Sequence, residues 1–284
     1  MIPKTAYFYW GSEVMSYLRY MTFYTFRAHN PNWKIVLVKR RNSLGAQNYE
    51  WAEQQDFMFA PLPDYSDKLD DLNIEIEYLE DEYPEIAALD ISDVHTSDIL
   101  AWYILGHKGG VVADTDIVFV RPFDYDRFKT TEFGICCFQR FPKPDYMPVS
   151  FMISQPNEIF RYIYKKSVEC VDKTVYESAG TIVIEKSLGG FKEICDRFGD
   201  SVEITRLPSK IVFPFAEDYP WGAYSGLAFA NNVFSLLHLD CIGIHWYAGA
   251  PGHQSINRRY ADGNYKKFEN TVSSAIAAAV EILG

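Results

Sequence analysis

Residues 96–116 have the sequence TSDILAWYILGHKGGVVADTD, and this stretch decides the fold that we predict. Apolar spacing predicts a helix over Asp93–His107, with Ser92 or Asp93 as its capping residue. The pair Gly109-Gly110 is typical of a helix end, and the apolar segment Val111–Ala113 then predicts a short buried strand. That strand ends at Asp114-Thr115-Asp116. A helix that leads into a buried strand in this way is a unit of an α/β fold.

The N-terminal segment supports the same class. Thr5–Trp10 is short, apolar and aromatic, and predicts a buried first strand. Helical spacing over Glu13–Ala28 predicts a helix that is broken by Asn30-Pro31-Asn32. A second buried strand is predicted at Trp33–Val38. Strand, helix and strand at this spacing begin an α/β fold with a parallel sheet.

The rest of the chain continues this pattern. Strands are predicted at Ile117–Val120, Phe133–Phe138, Val149–Ile153, Ile211–Phe215 and Cys241–Trp246, and helices at Glu158–Val171 and from about Thr181 to Phe198. Residues 61–91 are acidic and irregular, which indicates an insertion or subdomain. Residues 265–284 predict a terminal helix docked on the domain, because the polar face is not basic as membrane attachment would require. We expect one domain over residues 1–284.

Charge and cysteine content exclude several classes of partner. The formal net charge of −11 disfavours nucleic acid and anionic membranes, since both attract basic surfaces. The five cysteines are an odd set without zinc-type pairing, which indicates reduced thiols and a cytoplasmic location. No signal peptide is evident, and no apolar run approaches the roughly 20 residues that span a bilayer. We therefore expect a soluble protein.

The carboxylates of Asp114 and Asp116 carry the first indication of chemistry. Two like charges at the end of a buried strand cannot both stay ionised without a partner cation. Carboxylate oxygens suit Mn²⁺ or Mg²⁺, and such ions neutralise the charge that builds on a departing diphosphate. The pair therefore predicts a metal and diphosphate site.

The block from Ser97 to Asp124 resembles the DXD sugar-binding glycosyltransferases, which include capsular and lipopolysaccharide sugar transferases, yeast-type mannosyltransferases and glucosylating clostridial toxins. The resemblance implies a GT-A-like fold, with a Rossmann-type central mixed sheet flanked by helices. It implies that Asp116 binds the cation directly and that Asp114 contacts the donor and helps to hold the metal. Asp98 would bind donor-sugar hydroxyls, with Ser97 beside it. The implied catalytic set is Asp98, Asp114 and Asp116.

Other segments resemble the borders of the donor site in that family. Tyr9-Trp10-Gly11 is similar to the first-strand end that holds the nucleobase, and either aromatic ring is a candidate to stack on the base. Gly180 lies where the family has a small-residue loop against the donor. The donor-binding set that we predict is Tyr9, Trp10, Gly11, Ser97, Asp98, Gly110, Asp114, Thr115 and Gly180.

His245 resembles the family histidine that completes the metal shell, and we predict it as the third metal ligand after Asp116 and Asp114. A hydrogen-bonded structural histidine is the competing interpretation, and His253 is a second candidate. Ala101 stands where the family usually has an arginine. The missing positive charge would come from Lys108 or Arg121, or be tolerated through the metal.

The resemblance implies a metal-dependent hexosyltransferase of polysaccharide biosynthesis. It would move a hexose from a nucleotide-diphosphate sugar, with a UDP-sugar as the leading candidate, to a saccharide or other hydroxyl acceptor with retention. Two other classes stay open. Asp114 to Val118 satisfy the first motif of haloacid-dehalogenase-like phosphatases, although that motif normally opens the domain. Ala101 is compatible with an inactive nucleotide-sugar-binding module.

Overall fold

The fold is seen in a computed structural model, which describes residues 1–11, 14–42, 62–139, 144–215, 226–230, 240–248 and 254–284. Its strands are β1 (Thr5–Trp10), β2 (Lys34–Lys39), β3 (Glu75–Tyr78), β4 (Gly110–Ala113), β5 (Ile117–Phe119), β6 (Phe133–Cys137), β7 (Phe151–Ser154), β8 (Ile204–Pro208) and β9 (Gly243–His245). Its α-helices are α1 (Tyr17–His29), α2 (Leu79–Glu82), α3 (Pro84–Ala87), α4 (Asp93–His107), α5 (Tyr125–Phe128), α6 (Glu158–Cys170), α7 (Thr181–Leu188), α8 (Phe191–Phe198), α9 (Gln254–Arg259) and α10 (Thr271–Leu283). Short 3₁₀ turns lie at Ser66–Leu72, Ser209–Ile211 and Tyr265–Lys267.

Seven strands form one mixed sheet in the order β3-β2-β1-β4-β7-β6-β8. The strands β3, β2, β1 and β4 are mutually parallel, whereas β7 is antiparallel to both β4 and β6. This mixed sheet with flanking helices confirms the predicted fold class. The chain order reverses next to β1, because β2 and β3 lie on one side of it and β4 on the other. Parallel α/β sheets bind ligands beyond the carboxyl ends of the strands at such a point.

Helix α1 is defined at both ends by polar side chains. The Ser16 hydroxyl accepts a hydrogen bond from the Arg19 amide, and the Asn30 side chain donates to the Phe26 carbonyl at the other end. Between them, Phe26 packs edge-on against Phe119 of β5, with ring centroids 4.9 Å apart. The helix is thereby fixed beside β5.

Helix α4 has the predicted bounds. The Ser92 hydroxyl accepts from the His95 amide, and the amides of Lys108 and Gly109 both donate to the Ile104 carbonyl. Gly109 has a left-handed φ of 68°, a conformation that glycine adopts without strain, and it turns the chain directly into β4. The beginning of α4 therefore lies at the carboxyl edge of the sheet.

Two predictions about the second half of the chain are wrong. Ile211–Phe215 is not a strand: a 3₁₀ turn ends at Ile211, and the strand of this region is β8, which pairs with β6. The single helix predicted up to Phe198 is two helices, because Gly189 and Gly190 both have positive φ angles between them.

The acidic region and the C-terminal region both contact the sheet-bearing body. Within the acidic region, Glu75–Tyr78 forms the edge strand β3, which pairs with β2. Near the C-terminus, α10 is capped by the Asn270 side chain, and it packs its buried face against α1 and β5. Each helix in the described part of the chain is too short or too polar to cross a membrane.

Candidate active site

The turn Asp114-Thr115-Asp116 joins β4 of the large sheet to β5 of a separate two-stranded ribbon. The Asp114 amide donates to the Ser150 carbonyl at 2.9 Å, which fixes the start of the turn. The Asp114 side chain is 38% exposed, whereas that of Asp116 is only 10% exposed. One carboxylate is thus open to a ligand, and the other is enclosed.

His245 reaches the same turn from the far end of the chain. Strand β9 is antiparallel to β5, with His245 opposite Ile117. Its Nε2 atom lies 3.3 Å from Asp116 Oδ1 and 3.5 Å from Asp114 Oδ2. Within the described residues, Asp114, Asp116 and His245 each offer a ligand atom, all within 4.8 Å of one another. This donor set fits a divalent cation.

Two backbone amides hold Asp116 in place beside the histidine. The Trp246 amide donates to the Asp116 carbonyl at 2.9 Å, and the Ala248 amide donates to its Oδ2 atom at 2.9 Å. Burial acts to raise the pKa of Asp116, but His245, Arg19 and the Ala248 amide outweigh it, so the pKa lies below its ordinary value. The buried carboxylate is therefore stabilised in its charged form.

The His245 ring has a defined tautomer in this arrangement. The Tyr247 amide donates to Nδ1 at 3.2 Å, so the proton of a neutral ring lies on Nε2, facing the two carboxylates. A cation bound at Nε2 would take the place of that proton. The Tyr247 amide would then have to release Nδ1, which normally donates to an acceptor in a metal-bound histidine.

Arg19, which the sequence analysis missed, supplies the positive charge beside these groups. Its NH1 atom donates to Thr115 Oγ1 at 2.8 Å and lies 3.7 Å from Asp116 Oδ1. The guanidinium is 4.8 Å from the ring centre of Trp10 and 5.4 Å from that of Trp246. These rings and the Thr115 hydroxyl fix the guanidinium at the edge of the candidate site.

The cations suggested as replacements for the family arginine lie elsewhere. Lys108 donates to Glu77 and to the Tyr83 hydroxyl, near the amino end of β4. Arg121 lies beyond the far end of β5, where its charge acts on Asp240 and Cys241. The interpretation of Lys108 or Arg121 as the compensating charge is wrong, because helix α1 brings Arg19 to the site instead.

Asp98 and Gly180 meet at the same edge of the sheet. Asp98 lies in the second turn of α4, directly after Ser97, and a Cβ atom on Gly180 would lie 2.5 Å from its Oδ2 atom. Burial raises the pKa of Asp98 well above its ordinary value, and the charges of Asp114 and Glu177 add to the effect. The structure therefore brings Asp98, Gly180 and Asp114 together.

The end of β1 lies at this edge as well, because β1 and β4 are parallel neighbours. The Tyr9 hydroxyl donates to Asp93 Oδ1 at 2.6 Å and accepts from Arg40 Nε at 3.1 Å, so it is already engaged. Gly11 packs against the Asp93 carboxylate, which leaves no room for a side chain. Trp10 is different, since its buried Nε1 has no hydrogen-bond partner among the described residues. Of the two aromatic residues, Trp10 is therefore the one whose polar atom is not already engaged within the described residues.

One predicted residue, Gly110, is not part of this group. Gly110 begins β4, so it lies at the opposite edge of the sheet from Asp114, and a Cβ atom there would be 2.6 Å from the Thr5 carbonyl oxygen. Its glycine is thus explained by close packing against β1. His253 lies outside the described residues.

Comparison with known proteins agrees with the motif. Residues 18–132 match the family model described as "Glycosyltransferase sugar-binding region containing DXD motif". No curated protein matches the chain significantly.

Similar solved structures include PaToxG glycosyltransferase, with 16% identity and a TM-score of 0.48 over 70% of this chain and 75% of that one. The apo-form glycosyltransferase GlyE of Streptococcus pneumoniae TIGR4 has 10% identity and a TM-score of 0.48 over 99% of this chain and 64% of that one. The galactosyltransferase LgtC in complex with donor and acceptor sugar analogues has 15% identity and a TM-score of 0.43, over 91% of this chain and 95% of that one.

The family match covers α1, the predicted sugar-binding helix α4 and the Asp114-Thr115-Asp116 turn. It ends before β9, which contributes His245. The predicted resemblance is confirmed: residues 18–132 of this chain match the model of the DXD-containing glycosyltransferase sugar-binding region.

Proposed function

We propose that this protein is a metal-dependent glycosyltransferase that transfers a hexose from a nucleotide-diphosphate sugar, with a UDP-sugar as the leading donor, to a hydroxyl of a saccharide acceptor. The observation that carries the proposal is the convergence of Asp114, Asp116 and His245 at the carboxyl end of β4, where the two aspartates belong to the matched sugar-binding region. Transfer with retention is part of the proposal, as the resembled family implies.

Asp114, Asp116 and His245 would hold the cation, and Mn²⁺ or Mg²⁺ suits two carboxylates and an imidazole. When bound, such an ion neutralises charge on the diphosphate leaving group. Arg19 would add a fixed positive charge at the border of the same site, aligned by Thr115 and stacked on Trp10. A guanidinium held in this way needs little reorganisation when negative charge develops.

The remaining predicted residues would bind the donor. Asp98, which faces Gly180, would accept hydrogen bonds from sugar hydroxyls. Trp10 would offer its ring face and its unsatisfied N–H to the nucleotide. The acceptor hydroxyl would lose its proton to the departing diphosphate on the same face of the sugar, so no side chain is required as a general base. The proposal assigns these steps to a single domain over residues 1–284.

A screen of nucleotide sugars tests the proposal. We expect UDP-glucose, UDP-galactose or GDP-mannose to raise the Tm in the presence of Mn²⁺ and to be slowly hydrolysed. Asp116→Asn should abolish this metal-dependent turnover with little loss of stability, because the amide oxygen can still accept from the Ala248 amide. Asp126→Asn is a matched control, since its carboxylate is 88% exposed and pairs with Lys129 away from the candidate site.

The other two classes give different results in the same screen. Phosphate release from sugar phosphates without any nucleotide would indicate a phosphatase. Metal-dependent binding without turnover, with any acceptor, would indicate a binding module. Full activity of Asp116→Asn would contradict the transferase proposal. The anomeric configuration of the first product, measured by NMR, tests retention.

A further inference from the structure

The segment between α6 and α7, residues 171–180, forms one border of the candidate site. Gly180 packs against the Asp98 carboxylate, and the charge of Glu177 acts on the same group. The segment also precedes α7, so its course is fixed at one end by a helix. It therefore lies beside the position that Asp98 and Asp114 define.

Hydrogen bonds hold this segment on both sides of Tyr176. Before Tyr176, His95 Nε2 donates to the Val175 carbonyl at 3.0 Å. The Ser92 hydroxyl donates to Nδ1 of the same histidine at 3.0 Å, which fixes the ring. On the other side, the Glu177 carboxylate accepts from the Tyr146 hydroxyl. Because the residues before and after it are held, Tyr176 is fixed in position before any ligand binds.

The segment is anchored to the core as well. The Ala179 carbonyl accepts from the Trp102 indole at 2.8 Å and from the Ser167 hydroxyl at 2.6 Å. The Ser178 hydroxyl donates to the Asp172 carbonyl at 2.8 Å, which closes the loop upon itself. A short rigid loop of this kind presents its outward side chain in one direction.

Tyr176 is the aromatic residue of the exposed part of this loop, residues 172–176. It is 49% exposed, whereas Ser178, Ala179 and Gly180 are buried. His95 and the Gly180 contact hold its segment beside Asp98. Burial, and then the charges of Asp98, Asp114 and Asp116, raise the pKa of Tyr176 well above its ordinary value, which agrees with that position. Tyr176 is thus half exposed, lies on a segment that contacts Asp98, and is within range of the charges of three carboxylates.

This combination suits a carbohydrate. An aromatic face packs against the C–H face of a pyranose ring, and neighbouring carboxylates accept hydrogen bonds from its hydroxyls. Glu177, which is outside the proposed metal-ligand set, repels an anionic sugar, so a neutral sugar is favoured. Tyr176 is exposed, whereas Gly180 is buried against Asp98, so the ring is open to a substrate that arrives once a donor is bound.

We propose that Tyr176 is the stacking platform for a neutral pyranose of the acceptor. This inference rests on the proposed transferase function, which supplies the donor that lies further inside. It assigns acceptor specificity to the segment 171–180 and not to the Asp114-Thr115-Asp116 turn.

The test compares Tyr176→Ala, Tyr176→Phe and Tyr176→Trp with Val175→Ala, whose side chain is 40% exposed on the same segment. The probes are methyl β-D-glucopyranoside, methyl β-D-galactopyranoside and the anionic methyl β-D-glucuronide, with UDP and Mn²⁺ present. Saturation-transfer NMR measures binding, and transfer from UDP-glucose or UDP-galactose gives KM values for donor and acceptor. We expect Tyr176→Ala to weaken neutral-pyranoside binding about ten-fold. Tyr176→Phe, Tyr176→Trp and Val175→Ala should retain it.

Failure of this inference can be distinguished from failure of the transferase proposal. If no nucleotide sugar is turned over, the transferase proposal fails and the NMR arm still decides whether Tyr176 binds a pyranose. Unchanged binding in Tyr176→Ala, or equal loss in Tyr176→Phe, would overturn the stacking role. A donor KM that rises more than the acceptor KM would place the ring on the donor sugar and overturn the acceptor assignment. Preferred binding of the glucuronide would overturn the neutral class.

Discussion

The Arg19 guanidinium lies 3.7 Å from the Asp116 carboxylate, although the two residues belong to different elements far apart in the chain. Both side chains are about one-tenth exposed, so water screens the pair only weakly. The contact places a permanent cation at the predicted diphosphate site, where Ala101 replaces the family arginine. Helix α1 thus provides the charge that α4 lacks.

Replacement of Arg19 by glutamine should therefore impair catalysis more than folding. We expect kcat/KM for the nucleotide sugar to fall about 10- to 100-fold, because a preorganised charge is lost. Arg19→Lys should retain part of the activity, since lysine keeps the charge without the planar fork that reaches Thr115. Steady-state kinetics with the preferred nucleotide sugar measures the effect. Lys192→Gln is the control, because Lys192 is 76% exposed and pairs with Asp196 on the surface. Wild-type kinetics in Arg19→Gln would exclude a role of Arg19 in catalysis.

Asp98→Asn should stabilise the ligand-free protein in a pH-dependent manner. Because the pKa of Asp98 is raised in the folded state, the folded protein binds its proton more tightly than the unfolded chain does. Stability is therefore lost as the pH rises above about 4, the ordinary range of an aspartate. We expect the variant and the wild type to have similar Tm values near pH 4 and the variant to be a few degrees more stable near pH 7.

The same substitution should weaken donor binding, so that stability and ligand affinity change in opposite directions. Thermal unfolding between pH 4 and pH 8, with and without nucleotide sugar, measures both. Asp196→Asn provides an exposed carboxylate for comparison. A Tm difference that does not vary with pH would show that the Asp98 carboxylate is not destabilising in the folded state.

Gly180→Ala should reveal the contact between the loop and α4. The new Cβ atom would lie 2.5 Å from Asp98 Oδ2 and 3.1 Å from Val149 Cγ2, which predicts a loss of about 1–3 kcal/mol of stability. The double variant Asp98→Ala/Gly180→Ala should recover part of this loss without recovering activity. Urea unfolding of the two single variants and the double variant gives the coupling energy. Gly226→Ala is the control, because no atom of the described residues lies within 4 Å of its added Cβ. Additive effects would contradict the contact between Gly180 and Asp98.

His245→Ala separates the two interpretations of this histidine. As a metal ligand, His245 should contribute at least ten-fold to Mn²⁺ affinity, measured by calorimetric titration. As a structural residue only, its loss would lower the Tm without changing that affinity, since the ring packs against Phe213 at 5.0 Å and Tyr247 at 4.2 Å. His107→Ala, an exposed histidine on α4, should change neither quantity markedly.

Local signals made β1 and α4 predictable from the sequence. The Ser92 cap and the Gly109-Gly110 pair lie next to the helix ends that they define, so these local signals predicted both ends of α4. The strand predicted at Ile211–Phe215 is absent for a physical reason. Its apolar residues are buried, but the Ile211 and Val212 carbonyls accept from the amides of Ile242 and His245 without forming a regular strand ladder. An apolar run indicates burial, and burial does not require a strand.

Those residues of the candidate site that belong to one short sequence motif could be predicted from the sequence. Asp98, Asp114 and Asp116 lie within a short block, and the structure places them at one edge of the sheet. Arg19 could not be found in this way, because it reaches Thr115 only through the packing of α1 on β5. Ser16 is a typical residue at a helix start, but nothing in the sequence indicated that the first turn of α1 would face the Asp114-Thr115-Asp116 turn.

Because β5 pairs with β9, keeping the motif does not ensure that a homologue keeps the whole candidate site. The match to the family ends at residue 132, yet Asp116 depends on His245, Trp246 and Ala248 for its neighbours. A homologue could keep every residue of the motif and still lose the third candidate metal ligand, His245, through a single deletion in the last sixth of the chain. Conversely, a fragment that ends at residue 132 would still contain the matched region but would lack His245 and the Trp246 and Ala248 amides that hold Asp116.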